Sequence, residues 1–319
     1  MVVIGKPSSD SQRASKHLDE SGNTMNPHAL SAHDEAARLL DAHPDYKVMR
    51  RLSPVTRFHD PDPALPTRVA VLVDCETTGL DHEGNKIIEL ALQRFRYDVH
   101  GRIVEVGAPR VWFEDPGSPL DPEITRITGI NDEMLRDQAI DDGLAITILE
   151  SADKIIAHNA AFDRPFLDKR FPAIAGKEWA CSMAEPDWKE HGFEGRALGY
   201  LLSQCGWFFD GHRAENDILA LLYLLAHELP DGRTVLADLI ACSDRPTLKV
   251  NAVDAPYDAK DILKARSYRW NPVLRFWSKE IPEADRAGEA TWLKSKVYHG
   301  HYGQPAFLSV DARQRYTAS

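Results

Sequence analysis

Arg68-Val69-Ala70-Val71-Leu72-Val73-Asp74-Cys75-Glu76-Thr77-Thr78-Gly79 is an apolar run that ends in two carboxylates. Val69 to Val73 read as a buried strand. Side chains alternate along a strand, so Asp74 and Glu76, two residues apart, leave the same face. Two carboxylates on one strand face repel each other. A divalent cation relieves that repulsion, and hard oxygen donors suit Mg2+ or Mn2+. A D-x-E pair alone is most often a solvated strand edge, so its meaning depends on what accompanies it.

Three further segments accompany it: His158-Asn159-Ala160-Ala161-Phe162-Asp163, His212, and Asp217. Asp163 falls on the first turn of a helix just past a strand end, which lets its carboxylate face the end of the sheet. His212 lies on a glycine-flanked loop and Asp217 one turn into the next helix. Five residues apart, they do not share a helical face, but a loop residue can swing toward a helical one. Taken alone, Asp217 reads as a partner of the helix dipole and His212 as a solvated loop residue. In order, however, the four carboxylates and the histidine form the pattern D-x-E, then an aspartate after H-N-x-x-F, then H-x-x-x-x-D. This set resembles the DEDD exonuclease family in its histidine variant (DEDDh), the DnaQ-like group, over about residues 67 to 228.

The resemblance implies a ribonuclease H-like fold and a 3'–5' exonuclease that releases nucleoside 5'-monophosphates by a two-metal mechanism. It also implies two Mg2+ ions, replaceable by Mn2+. Asp74 would bridge both, Glu76 and Asp217 would serve the one holding the attacking water, and Asp163 would act largely through water on the other. His212, an imidazole able to take a proton at neutral pH, would be the general base. Thr77, Thr78, Gly79 and Leu80 are expected to hold the terminal nucleotide by backbone contacts and an apolar wedge, with Asn159 and Phe162 lining the same pocket. His158 reads as a strand-end residue, and His82 and His191 as solvated.

Composition sets the outer bounds. A hydrophobic fraction of 43% and a charged fraction of 27% are ordinary for a globular protein. The longest apolar stretch, Ile218 to Leu225, falls far short of the ~20 residues of a membrane span. No apolar leader marks secretion, and the four cysteines lack metal-ligand spacing, so a cytoplasmic protein with reduced thiols and no membrane partner is expected. The net charge of -11 argues at first against a nucleic-acid partner. The charge is uneven, though. Residues 243–319 hold 13 Lys and Arg against 9 Asp and Glu, a balance of +4 that leaves -15 for residues 1–242. Bound metal can neutralise the scissile phosphate in place of lysines, so an acidic nuclease is physically consistent.

The fold class expected is α/β, a ribonuclease H-like mixed sheet flanked by helices, with a small C-terminal α+β module and a disordered N-terminus. Residues 1–27 lack periodicity, and 28–66 hold an amphipathic helix over 28–40 and a proline-rich extended linker. Residues 67–242 form the exonuclease domain, with strands over 68–73, 86–97, 103–113, 154–157 and 179–182. A loop with Pro116, Gly117 and Pro119 precedes residues 124–130, and helices are expected from the Asn131-Asp132 cap and over 142–151, 162–171, 196–204 and 214–227.

Residues 243–319 interleave Trp270, Trp277 and Trp292 with basic residues. Ala255-Pro256-Tyr257-Asp258-Ala259-Lys260-Asp261, followed by Lys264 to Trp270 and by Trp277, resembles a small uncharacterised module sometimes attached to DNA-processing proteins, with Ser267 where the pattern has glycine. A helix over 259–266 and a strand over 275–280 are expected. Its aromatics serve first as core and second as a stacking platform for single strands. The expected partner is therefore a single-stranded 3' end, DNA before RNA, in replication or repair. The alternatives are an RNA-trimming exoribonuclease and a polymerase-associated proofreading or scaffold subunit recruited through this module.

Overall fold

The computed structural model describes residues 31–299 and 303–318. The disorder expected for residues 1–27 and the expected helix start at 28 lie outside them. The described residues fall into two units, divided between Val48 and Met49. In the first, helix α1 (Ala32–Asp41) opens with a capping box in which Ser31 and Asp34 exchange side-chain and backbone hydrogen bonds.

The second unit is built on a six-stranded mixed sheet. Strand β1 (Arg50–Arg51) lies outside that sheet, whose central pair is β2 (Thr67–Thr77) and β3 (Ile87–Asp98), antiparallel with Asp74 opposite Ala91 and Glu76 opposite Glu89. Against the far edge of β3 lie β4 (Ile103–Val106) and β5 (Arg110–Phe113). The sequence reads these two as one strand. Gly107 and Pro109 break it: Gly107 donates to the Arg94 carbonyl, and proline has no N–H to continue a ladder. Helix α2 (Pro122–Thr128) opens where Asp121 caps the Glu123 amide and Pro122 fits the first turn. Then come α3 (Asp132–Leu135), capped by Asn131, and α4 (Asp142–Glu150). Strand β6 (Lys154–Ala157), helix α5 (Ala160–Arg170) and strand β7 (Trp179–Cys181) follow. Next are α6 (Leu198–Gln204), β8 (Trp207–Phe208), α7 (Ala214–Ala226) and α8 (Val235–Ser243).

The sheet order is β4-β3-β2-β6-β7, with β6 and β7 parallel to β2. Alternation along β2 sorts the core. Ala70 and Leu72 pack with α6, α7 and α8, whereas Val71 and Val73 pack with α4 and α5. Asp74 and Glu76 continue the parity of Leu72, so they leave on the α7 side, as the spacing predicts. This mixed sheet between two helical layers is the ribonuclease H-like fold. The proline-rich stretch before β2 is extended but strapped down: β1 pairs with β8, the Thr56 carbonyl accepts from Val106, and the Phe58 ring meets Tyr223 edge-on at 5.0 Å.

Residues beyond α8 form a second sheet of order β10-β11-β9-β12 from β9 (Thr247–Ala252), β10 (Arg269–Asn271), β11 (Phe276–Pro282) and β12 (Ala306–Val310). Helices α9 (Lys260–Ala265) and α10 (Arg286–Trp292) accompany it, and Leu248, Val250, Leu263, Tyr268, Ile281 and Leu293 fill its core. Trp277 and Trp292 are half-buried against that core, while Trp270 remains 49% exposed. Ser267, at the position where the module pattern has glycine, takes a left-handed φ of 70° and closes α9 by donating its amide to the Lys264 carbonyl. Among the described residues no helix is long and apolar enough to cross a membrane.

Candidate active site

Strand β2 and helix α7 together make an acidic centre. Carboxylate oxygens of Asp74, Glu76 and Asp217 lie within 4.8 Å of one another. Asp163, 2% exposed, is held separately: one of its oxygens accepts from the Cys75 amide at 3.2 Å and from the Cys75 thiol at 3.3 Å. Cys75 points to the opposite face from Asp74 and Glu76, so one three-residue stretch of strand presents two carboxylates and clamps a third.

Crowding like charges in a half-dry site disfavours ionisation. Burial first, and then the charges of Asp163, Asp217 and Glu76, hold Asp74 well above the usual carboxylate range. Burial, followed by Asp217 and Glu89, pushes Glu76 up to about 7. Burial raises Asp163 to about 7 against the opposing hydrogen bonds from Cys75. Asp217 rises to about 6 through burial, opposed by backbone amides of the Arg213 turn and by nearby His212. Four carboxylates in this state fit divalent cations, whose charge removes the repulsion that the fold imposes.

Asp217 is set by the start of α7. Its carboxylate accepts from the Arg213 amide at 3.1 Å, which folds the preceding loop over the first turn. His212 sits on that loop, exposed, with a left-handed φ of 65°. Glu89 is a residue that reading the sequence missed. Fully buried opposite Glu76, it accepts from the Ala214 amide at 3.1 Å and pairs with Arg213 at 3.2 Å, so it anchors the α7 N-terminus to β3. Its signal in the sequence is a lone acid inside the apolar run Ile87 to Leu92.

The remaining candidates fall around this centre. Thr77 donates to the Gly79 carbonyl at 2.6 Å, and Thr78 bonds Asn85 at 3.1 Å, which ties the turn after β2 to the loop behind it. Glycine at 79 leaves room for that closure, since a Cβ there would lie 2.7 Å from the Asn85 amide oxygen and push the side chain aside. Leu80 is 87% exposed at the tip. Asn159 takes a φ of 97° at the start of α5 without capping it, and the Phe162 ring packs 5.1 Å from Phe166. His158 is structural. Its Nε2–H donates to the Arg196 carbonyl and its Nδ1 accepts from Ser182, and burial lowers its pKa to about 4, so it stays neutral.

A cluster of carboxylates that could hold a divalent cation, set on a mixed sheet between helical layers, points to the class of a nuclease domain. Residues 71–225 match the RNase_T exonuclease family. The D-x-E, H-N-x-x-F-D and H-x-x-x-x-D positions that resemble the DnaQ-like, DEDDh pattern all fall within that match. A PolC-type DNA polymerase III from Streptococcus pyogenes serotype M2 is 32% identical over 193 residues, 55% of this chain and 12% of the polymerase. The PolC-type enzyme of Streptococcus suis is 30% identical over 174 residues, 50% of this chain and 11% of that one. The chain therefore spans only about an eighth of the length of the curated relatives it matches. Among solved structures, exonuclease X in complex with 5' overhanging duplex DNA is 22% identical with a TM-score of 0.37, covering 53% of this chain and 99% of that one. E. coli exonuclease I in complex with a dA16 oligonucleotide is 17% identical with a TM-score of 0.39, over 57% and 48%.

Proposed function

We propose that the chain removes nucleoside 5'-monophosphates from single-stranded DNA 3' ends, with Mg2+ as the natural cation and Mn2+ as a substitute. The observation that carries this reading is the gathering of Asp74, Glu76 and Asp217 within 4.8 Å, beside the clamped Asp163, in a domain of the exonuclease family. When bound, two divalent cations supply charge to the scissile phosphate and acidify water. Asp74, which feels all three other carboxylates, would be the central ligand. Glu76 and Asp217 would hold the cation that activates the attacking water, and Asp163 would serve the other, largely through water.

His212 takes the proton of the attacking water on an imidazole nitrogen and, being exposed, returns it to solvent. Leu80 wedges under the terminal base, while the turn Thr77–Gly79, Asn159 and Phe162 bind the last nucleotide. DNA is favoured over RNA because the matched relatives are DNA polymerases, which also supports a replication or repair setting. Digestion of matched 5'-labelled DNA and RNA single strands, with Mg2+ or with EDTA, tests the reading. A ladder shortening from the 3' end of DNA in Mg2+ alone is expected. Preference for RNA would overturn the substrate assignment, and metal-independent or absent cleavage of both would overturn the activity.

A further inference from the structure

Arg164 follows Asp163 directly on α5 and is 1% exposed, yet its neighbours within the exonuclease domain supply it with a single carboxylate, Asp168, at 3.0 Å. Its other donors reach residues some 150 positions away. Nη1 donates to the Arg315 carbonyl at 2.6 Å and to the Ala312 carbonyl at 3.4 Å, and Nη2 donates to the Arg313 carbonyl at 2.6 Å. The guanidinium lies 5.6 Å from the Trp179 ring, and the Trp179 amide donates to Ala312 as well, at 2.9 Å.

The segment that supplies these carbonyls is itself locked. Arg315, 3% exposed, donates to the carbonyls of Ser243 and Arg245 and pairs with Glu185 at 3.7 Å. The Tyr316 hydroxyl donates at 2.9 Å to the same Glu185 oxygen that accepts from the Cys181 amide of β7. A buried guanidinium tolerates desolvation only while its donors are filled. Remove the segment and Arg164 must turn toward water, taking the first turns of α5 with it.

We infer that residues 311–318 are a positioning element of the exonuclease site: by filling Arg164 they fix α5 and thereby the carboxylate of Asp163. The inference rests on the reading of Asp163 as a cation ligand. Neither Arg164 nor the segment touches substrate.

Two variants test it beside the wild-type chain: Arg164→Lys, and the chain stopped after Val310. A lysine ammonium keeps the charge but cannot span three carbonyls as the guanidinium fork does. With a 5'-labelled oligonucleotide and a Mg2+ titration, Arg164→Lys is expected to lower kcat by about 10- to 100-fold and to raise the half-saturating Mg2+ concentration, as loss of a supporting contact does. KM for the oligonucleotide and the circular dichroism spectrum should stay the same, which a general loss of packing would not permit. The shortened chain, if it folds, should behave alike and recover activity when a synthetic peptide of residues 311–318 is added. An Arg164→Lys enzyme with wild-type kcat and wild-type Mg2+ dependence would overturn the inference, whatever the shortened chain does. A wild-type chain with no Mg2+-dependent cleavage would instead remove the exonuclease reading.

Discussion

Asp74 is the residue where the costs of the site concentrate, and it yields two expectations of opposite sign. Replacing Asp74 by Asn or Asp217 by Ala removes ligand charge, so Mg2+-dependent cleavage should fall by several orders of magnitude in a gel-based rate assay. Stability of the metal-free protein should move the other way. Glu76 and Asp163 are raised to about 7 and Asp217 to about 6, so the folded state binds more protons than the unfolded chain between pH 4 and 7. With more protons bound when folded, stability is full at low pH and is lost as pH rises through that window. Asp74→Asn should therefore raise the Tm of the metal-free protein at pH 8 by a few degrees, on the order of 1–3 kcal/mol, and change little below about pH 4. A scan showing equal Tm at pH 8 in EDTA would contradict the electrostatic account. For His212→Ala, turnover should drop by roughly 10^2 to 10^4 with the acidic limb of the pH–rate profile flattened, while Mg2+ dependence stays nearly constant. An unchanged profile would take His212 out of the mechanism.

At the scale of elements, the sequence made β2 and the parity of its two acids legible because a period of two needs no tertiary information. It left Glu89 unread, since a buried carboxylate is recognisable only once α7 brings Ala214 and Arg213 against β3. Short elements were hidden for a similar reason: β1 and β8, two residues each, exist only by pairing with one another across more than 150 positions. The split between β4 and β5 was written locally in Gly107 and Pro109, though the flanking apolar residues suggest continuity. In the C-terminal sheet, α9 and β11 were visible through their motif, whereas β9 depends on antiparallel pairing with β11 and β12, and β12 on pairing with β9. Ser267 offers an element-level test. Holding a non-glycine residue at a φ of 70° costs energy that glycine avoids, so Ser267→Gly should stabilise the protein by about 0.5–1 kcal/mol in urea unfolding. A destabilised variant would mean that the serine side chain contributes a contact of its own.

Across the whole molecule, residues 49–319 make one compact unit, although among the described residues three separate sheets lie within it, of six, four and two strands. The composition shift after residue 242 marks the change of sheet, but not the return of residues 311–318 to α5 and β7, which no local pattern announces. Deleting everything after residue 245 would consequently strip Arg164 of its carbonyl acceptors as well as remove Trp270, and would confuse two effects. Substitution separates them. Trp270 is 49% exposed on β10, and Arg275 stands on the turn to β11. If this sheet holds single strands by stacking and phosphate contact, Trp270→Ala with Arg275→Ala should raise KM on long single strands several-fold, since a stacked base contributes ~1–3 kcal/mol. Hydrolysis of very short oligonucleotides should be spared and the salt dependence of binding should weaken. Equal KM and salt slope on long strands would leave the sheet a structural or protein-docking role.

The central claim is that the clustered carboxylates run metal-dependent cleavage from a 3' end, and a time course on one 5'-labelled single-stranded DNA tests it most directly. With Mg2+, the wild-type chain should yield a descending ladder and 5'-monophosphates, and Asp74→Asn, folded by circular dichroism, should leave the substrate intact. A ladder of equal rate from Asp74→Asn, or from the wild-type chain in EDTA, would contradict the account.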